Sequence, residues 1–274
     1  MSERPLEGKV AVVTGASRGI GKQTCLALTR LGASLVLASR TYEPRKATPG
    51  TLEETAAEVR ALGGDPTIVV ADLAEQEGLD RVVSETLARH GQVDLLINNA
   101  AYTVGKAIWT HVPTITREQW EKGFAINLTA PLMLIQGFWE AMKANGGGRI
   151  VNVSSGAANL QDLSDRVTLP NSDLGENGPL YGATKAALNR MANSIAGDGA
   201  AHNIAVINMN PGLVVTEIMA QTFASSGVTP PAESNPPTMP AAAIAYLCTC
   251  ADVMRYSGNV LDAKDIVRDN NLAY

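Results

Sequence analysis

The stretch Val10-Ala11-Val12-Val13-Thr14-Gly15-Ala16-Ser17-Arg18-Gly19-Ile20-Gly21 decides how this chain folds. Residues 10–13 are continuously apolar rather than alternating, so a strand here is covered on both faces, the habit of a parallel sheet. Thr14-Gly15 ends the run, and from Gly19 to Leu31 the pattern turns helical. Working outward, residues 35–38, 68–71, 93–97, 150–153 and 204–207 are further short apolar runs and read as strands. Helices are expected at about 19–31, 75–89, 116–143, 181–200 and 240–251. Thr51-Leu52-Glu53-Glu54 and Thr116-Arg117-Glu118-Gln119 are capping boxes, in which a hydroxyl and an acid or amide satisfy each other's backbone N–H groups. Leu52, Ala56, Val59 and Leu62 then share one face before Gly63-Gly64 stops the segment. The alternation predicts an α/β fold: one doubly wound parallel sheet with helices on both faces, spanning residues 1–274. Three stretches interrupt it, 41–50, 160–179 and the proline-rich 227–240, and are expected to be loops, with a lid at about 213–240. There is neither a compositional break nor a repeat of fixed period.

Glycines between a strand and a helix let the backbone approach a pyrophosphate, whose charge then rests on the helix N-terminus. The spacing here is G-x-x-x-G-x-G over Gly15, Gly19 and Gly21, with Ser17, Arg18 and Ile20 between them. Three glycines could also serve only a tight turn; the strand before and the helix after favour a dinucleotide site. The end of the second strand would meet the adenosine ribose. An acid there would suit a 2′-hydroxyl, but this chain has Ser39-Arg40, with Arg18, Arg45 and Lys46 nearby. That charge suits a 2′-phosphate and predicts NADP(H) over NAD(H), the alternative being that Arg40 is a solvated cation at a strand end.

Composition narrows the function. The chain has 274 residues and a formal net charge of −5, without long basic blocks, so a nucleic-acid partner is not expected. Cys25, Cys248 and Cys250 make no disulfide framework, and His90, His111 and His202 belong to no metal-binding signature; no metal is expected, and a reducing cytoplasm fits. No stretch is long and apolar enough to span a bilayer, so no membrane association is expected either.

Tyr181-Gly182-Ala183-Thr184-Lys185 sets a phenol and an ammonium one helical turn apart. A nearby ammonium favours the phenolate, and a phenol of pKa about 10 is thereby brought toward the range of general acid-base work. By itself this pair is common on ordinary helices. Its company is the glycine loop, then Asp72, Asn98-Asn99-Ala100-Ala101, Asn127, Ser154-Ser155 and Pro211-Gly212, in that order. Over roughly residues 6–220 the chain resembles the classical short-chain dehydrogenase/reductase family.

The resemblance implies a Rossmann-type sheet of about seven strands, a nicotinamide cofactor across the strand ends, a small carbonyl or alcohol substrate, and a homo-oligomer, tetramer or dimer. It implies that Tyr181 is the general acid in reduction and the base in oxidation, and that Ser155 bonds the same substrate oxygen. Lys185 would bind the nicotinamide ribose and lower the Tyr181 pKa, while Asn127 would hold a water linked to Lys185. Cofactor contacts would also come from Asp72, Leu73, Asn99, Ala100, Ala101, Pro211, Gly212, Val214 and Thr216. Simpler roles stand beside these: Asp72 with Glu75 reads as an N-cap, Asn127 as a side-chain bond at a kink, and Asn98 and Asn99 as turn residues.

Two departures stand out. Ala101 occupies the usual glycine position, and Tyr181 follows Ser155 by twenty-six positions, over an acidic insert at 160–179 with Asp162, Asp165, Asp173 and Glu176 against Arg166. The insert is expected near the mouth of the site, as a substrate contact or simply as solvated charge. Residues 257–263 stand in place of the family's last strand, and the tail 264–274 lacks its usual glycines. Leu213, Val215, Ile218, Met219 and Phe223 are expected either to cover an apolar substrate or to be core. The function expected is oxidoreduction of a ketone or secondary alcohol. The alternatives are a dinucleotide-binding regulator without catalysis, or another reaction type such as a dehydratase, an epimerase or a double-bond reductase.

Overall fold

A computed structural model describes residues 4–43, 49–102, 112–159, 178–227 and 229–274. Its strands are β1 (Val10–Thr14), β2 (Ser34–Ser39), β3 (Thr67–Val70), β4 (Leu95–Asn98), β5 (Gly148–Val153), β6 (Ile204–Asn210) and β7 (Val260–Asp262). They form one parallel sheet in the order β3-β2-β1-β4-β5-β6-β7. The helices are α1 (Gly19–Arg30), α2 (Leu52–Ala61), α3 (Gln76–His90), α4 (Arg117–Phe124), α5 (Ala130–Ala144), α6 (Pro179–Ala200), α7 (Glu217–Ser226), α8 (Thr238–Thr249) and α9 (Ala263–Asp269).

Alternate strand residues feed two buried cores, one on each face of the sheet. Ala11 and Val13 of β1, with Ala205, Ile207 and Met209 of β6, join the core under α1 and α8. Val10 and Val12, with Ile204 and Val206, join the one under α3 and α5. Covering both faces is what makes the strands read as unbroken apolar runs. The chain runs outward from β1 to β3 and then returns beside β1 as β4, so the topology reverses between β1 and β4. In open α/β sheets, ligands lie in the crevice at the carboxyl ends of the strands, at such a switch point. At the opposite, amino ends of the strands the buried Asp94 accepts hydrogen bonds from Lys9 Nζ (2.8 Å), the Val10 N–H (2.9 Å) and Asn145 Nδ2 (2.6 Å), pinning β1, β4 and the end of α5 together.

Thr51 and Thr116 both close the capping boxes expected of them. Three expectations need correction. The helix expected over 116–143 divides: α4 and α5 are joined by a π-helical turn, Ala125–Thr129, centred on Asn127. Asp72 does not cap α3. The cap residue is Glu75, without a side-chain cap, because Asp72 directs one carboxylate oxygen to the Ala74 N–H (3.0 Å) and the other toward Arg40 (3.5 Å). And part of the expected lid is the regular helix α7, capped by Thr216, with Gly227 in the left-handed region at its end. Much of the acidic insert, with Asp162, Asp165, Arg166, Asp173 and Glu176, lies outside the described residues, as do Arg45, Lys46 and His111.

Candidate active site

At the end of β1 the chain turns through Gly15 (φ +65°) and enters α1 at Gly19 (φ +54°), the left-handed region where a side chain is strained. Space forbids a side chain as firmly as conformation does. A Cβ on Gly15 would stand 2.8 Å from Asn99 Nδ2 and 2.9 Å from the Ala100 Cα, and one on Gly19 would stand 2.9 Å from Thr216 Cγ2. One on Gly21 would strike the Gly15 carbonyl and Asn99. Asn99 fixes this loop from the neighbouring strand, donating to the Thr14 and Gly15 carbonyls at 2.9 and 3.2 Å. The Thr14 hydroxyl accepts from the Asn99 and Ala100 N–H groups, each at 3.0 Å, and donates to the Ile97 carbonyl at 3.3 Å. The result is a cradle of bare backbone at the switch point, whose glycines fit a pyrophosphate and leave no room for anything larger in their place.

Beside the cradle the end of β2 gathers the residues read as choosing the cofactor. The buried Ser17 hydroxyl accepts from Ser39 Oγ and from Arg18 Nε, both at 3.3 Å, and Arg18 also donates to the Gly50 carbonyl (3.1 Å). Arg40 pairs with Asp72 across the mouth. Ile20 packs on the core beneath α1, and the Leu73 side chain is buried in the other core, which leaves Leu73 only its backbone for a ligand. Ala101 is partly buried.

The residues read as catalytic meet at the end of β5. Three successive residues there are held by three successive turns of α6. The Val153 carbonyl accepts from Lys185 Nζ at 2.7 Å, Ser154 Oγ donates to Asn189 Oδ1 at 2.6 Å, and Ser155 hydrogen-bonds the Tyr181 phenol. Spacing of four residues sets Tyr181, Lys185 and Asn189 on one stripe of the helix. Asn127 reaches the same helix from the π-helical turn, donating to Thr184 Oγ1 at 3.0 Å, while its carbonyl accepts the Tyr102 N–H at 2.6 Å. A π turn commonly marks such a functional bend. Beneath the site a buried ladder of amides, Asn98 to Asn152 (2.9 Å) and Asn152 to Asn208 (3.1 Å), ties β4, β5 and β6 together.

The charge states differ from the sequence expectation. The two influences on the Tyr181 phenol are burial and Ser155, and they act in opposite directions. Burial pushes Tyr181 up to about 12, and only the Ser155 hydrogen bond pulls it back. The ammonium is turned to the strand carbonyl, with Nζ 5.7 Å from the Tyr181 ring centroid, and burial brings Lys185 itself down to about 8.

The covering segment leaves β6 through buried Pro211 and Gly212 (φ +72°), whose N–H is taken by Asn210 Oδ1 at 3.1 Å. Val214 pairs with Asn235, closing the two ends of the lid on each other. Thr216 lies on Gly19, and Glu217 Oε2 accepts the Gly19 N–H at 3.0 Å. Leu213 is exposed, whereas Val215, Ile218, Met219 and Phe223 are partly buried. Sequence reading missed Thr14, Asn189 and Glu217. A threonine closing a run of valines was a signal for the first; the others act through partners far away in the chain. Among the described residues no cluster could hold a metal, and no helix is long and apolar enough to cross a membrane.

Comparison with known proteins agrees with this geometry. The family model described as short chain dehydrogenase matches residues 9–227. A sorbitol dehydrogenase of Cereibacter sphaeroides is 34% identical over 212 residues, 76% of this chain and 72% of its own. A metagenomic short-chain oxidoreductase in complex with NADP is 30% identical with a TM-score of 0.70, over 90% of this chain and 94% of that one. The L-sorbose reductase of Gluconobacter frateurii, complexed with NADPH and L-sorbose, is 26% identical with a TM-score of 0.77, over 95% and 96%.

Proposed function

The chain belongs to the short-chain dehydrogenase family of oxidoreductases, and from that premise we propose that it moves a hydride between NADP(H) and a ketone or secondary alcohol, with Tyr181 as the general acid or base. The observation that carries this reading is the Ser155 to Tyr181 hydrogen bond, with Lys185 one turn further along the same helix stripe.

The nicotinamide, when bound, supplies or accepts the hydride. The residues do the rest. Burial favours the protonated phenol of Tyr181, the form that gives a proton to a carbonyl oxygen in the reducing direction. Ser155 donates to the same oxygen as negative charge develops there. Lys185, anchored by one N–H to Val153, keeps two more for the ribose hydroxyls. Asn127, whose amide braces the turn carrying Tyr181 through Thr184, has remaining capacity for a water leading toward Lys185. Gly15, Gly19 and Gly21 cradle the pyrophosphate, Ser39 and Arg40 with Arg18 take the 2′-phosphate, and Pro211, Gly212, Val214 and Thr216 border the nicotinamide. Relatives are named for sorbitol, a polyol, and for L-sorbose, a ketose, which supports that substrate class. The same reading makes the protein a cytoplasmic homo-oligomer, dimer or tetramer, and light scattering would count its subunits.

The test is to follow NADPH consumption over a panel of apolar ketones and ketoses with the wild type and Tyr181→Phe. Turnover should fall by about a thousandfold in the variant, with NADPH binding unchanged; a variant that keeps full turnover rejects the acid-base role.

A further inference from the structure

The segment that covers the cradle brings its own negative charge to it. Glu217 is the first residue of α7, and its Oε2 accepts the Gly19 N–H of α1 at 3.0 Å, across 198 positions of sequence. Helix α1 has no acid in its first turn and no side-chain cap of its own, so its positive end is answered from the covering segment. The Lys22 ammonium of α1 is paired with Glu58 at 2.7 Å. Contact between the two elements is close, since a Cβ on Gly19 would stand 2.9 Å from Thr216 Cγ2 and 3.7 Å from the same Glu217 oxygen.

We propose that Glu217 is an internal anion that competes with the cofactor's pyrophosphate for the amide of Gly19, and so sets how tightly the cofactor binds. The inference rests on the reading of the glycine cradle as a dinucleotide site. One N–H serves one acceptor well, and a carboxylate left beside a pyrophosphate adds like charge to like. Cofactor arrival therefore displaces Glu217 and frees the first turn of α7 from α1. The plainer account, that Glu217 is an acid favouring the start of its own helix, explains its position but not its reach to Gly19.

The experiment compares wild type with Glu217→Gln, which keeps the shape and removes the charge of a partly exposed side chain. NADPH binding is followed by the cofactor's fluorescence, and adenosine 2′-monophosphate, which carries the 2′-phosphate but no pyrophosphate, is the local control. The variant should bind NADPH about tenfold more tightly and the control ligand within about twofold of wild type. Inorganic pyrophosphate should also raise its melting temperature more than that of wild type. Equal NADPH affinity in the two proteins overturns the inference and leaves the dinucleotide site standing. Tightening of both ligands alike overturns it too, because the effect would then not lie at the pyrophosphate. If neither protein binds NADPH or NADH, the dinucleotide reading fails first and the inference with it.

Discussion

At the end of β1 the chain has removed side chains, while at the end of β5 it has buried them. Gly15, Gly19 and Gly21 leave bare backbone that Asn99 and Thr14 hold in place with neutral hydrogen bonds. Four strands away in sequence, Tyr181 and Lys185 are packed against Val153 and Ser155, and burial drives their pKa values apart, the phenol up to about 12 and the ammonium down to about 8. One region is specified by shape, and nothing in it opposes folding. The other is specified by charge in a place that disfavours charge. Changes in the first should therefore fail by steric exclusion, and changes in the second should separate stability from activity.

The largest effect belongs to the cradle. Gly21→Ala adds a Cβ that would strike the Gly15 carbonyl, a backbone atom with no rotamer to escape into. Cofactor affinity should fall by at least about a hundredfold and stability by about 1–3 kcal/mol. Isothermal titration with NADPH and urea unfolding would measure both. An affinity within twofold of wild type would mean that the loop yields, and the contrast drawn between the two regions would lose its first half.

A smaller effect is expected where the cradle meets the cofactor's far end. Arg40 stands at the mouth, paired at 3.5 Å with Asp72. A charge-assisted bond to a phosphate is worth about 1.5–3 kcal/mol, so Arg40→Leu should reduce the preference for NADPH over NADH by about tenfold or more. The ratio of the two dissociation constants gives the answer. An unchanged ratio would make Arg40 a solvated cation and pass the discrimination to Arg18 and Ser17.

These regions were legible to different degrees. Glycines at a strand-to-helix turn are visible in sequence because a local conformation demands them, and the strands are visible because burial on both faces leaves no polar residue in them. The capping boxes at Thr51 and Thr116 were legible for the same local reason. Asp72 with Glu75 offers the same letters, yet its carboxylate is taken by Ala74 and Arg40, and the second partner comes from another strand. The division of the helix at Asn127 follows from bonds to Tyr102 and Thr184, the latter 57 residues away. The reach of Glu217 to Gly19 spans 198 positions of sequence. Spacing places the Lys185 ammonium near the Tyr181 phenol, but it does not show that the ammonium also donates to a strand carbonyl, that of Val153.

The smallest expected effect is also the sharpest test of the second half of the contrast. Lys185 is 2% exposed, and holding its pKa at about 8 instead of 10.5 opposes folding by about 3 kcal/mol at neutral pH. Between pH 8 and 10.5 the unfolded chain binds more protons than the folded one. Stability from this residue therefore rises through that window, and the full penalty lies below it. Lys185→Met removes the penalty but leaves the Val153 carbonyl without its donor, a loss of about 1–3 kcal/mol. At pH 7 the variant should be more stable than wild type by about 1 kcal/mol, the difference of those two figures. At pH 10 the folded wild type carries a neutral Lys185, most of the penalty is gone, with under about 1 kcal/mol left, and the loss at the orphaned carbonyl should reverse the order. Tyr181 titrates in both proteins and cancels from the comparison. Urea unfolding of the cofactor-free proteins at the two pH values reads the sign directly. A difference that does not change with pH would mean that the buried ammonium is not opposing the fold, and that the catalytic corner is as neutral to stability as the glycine cradle.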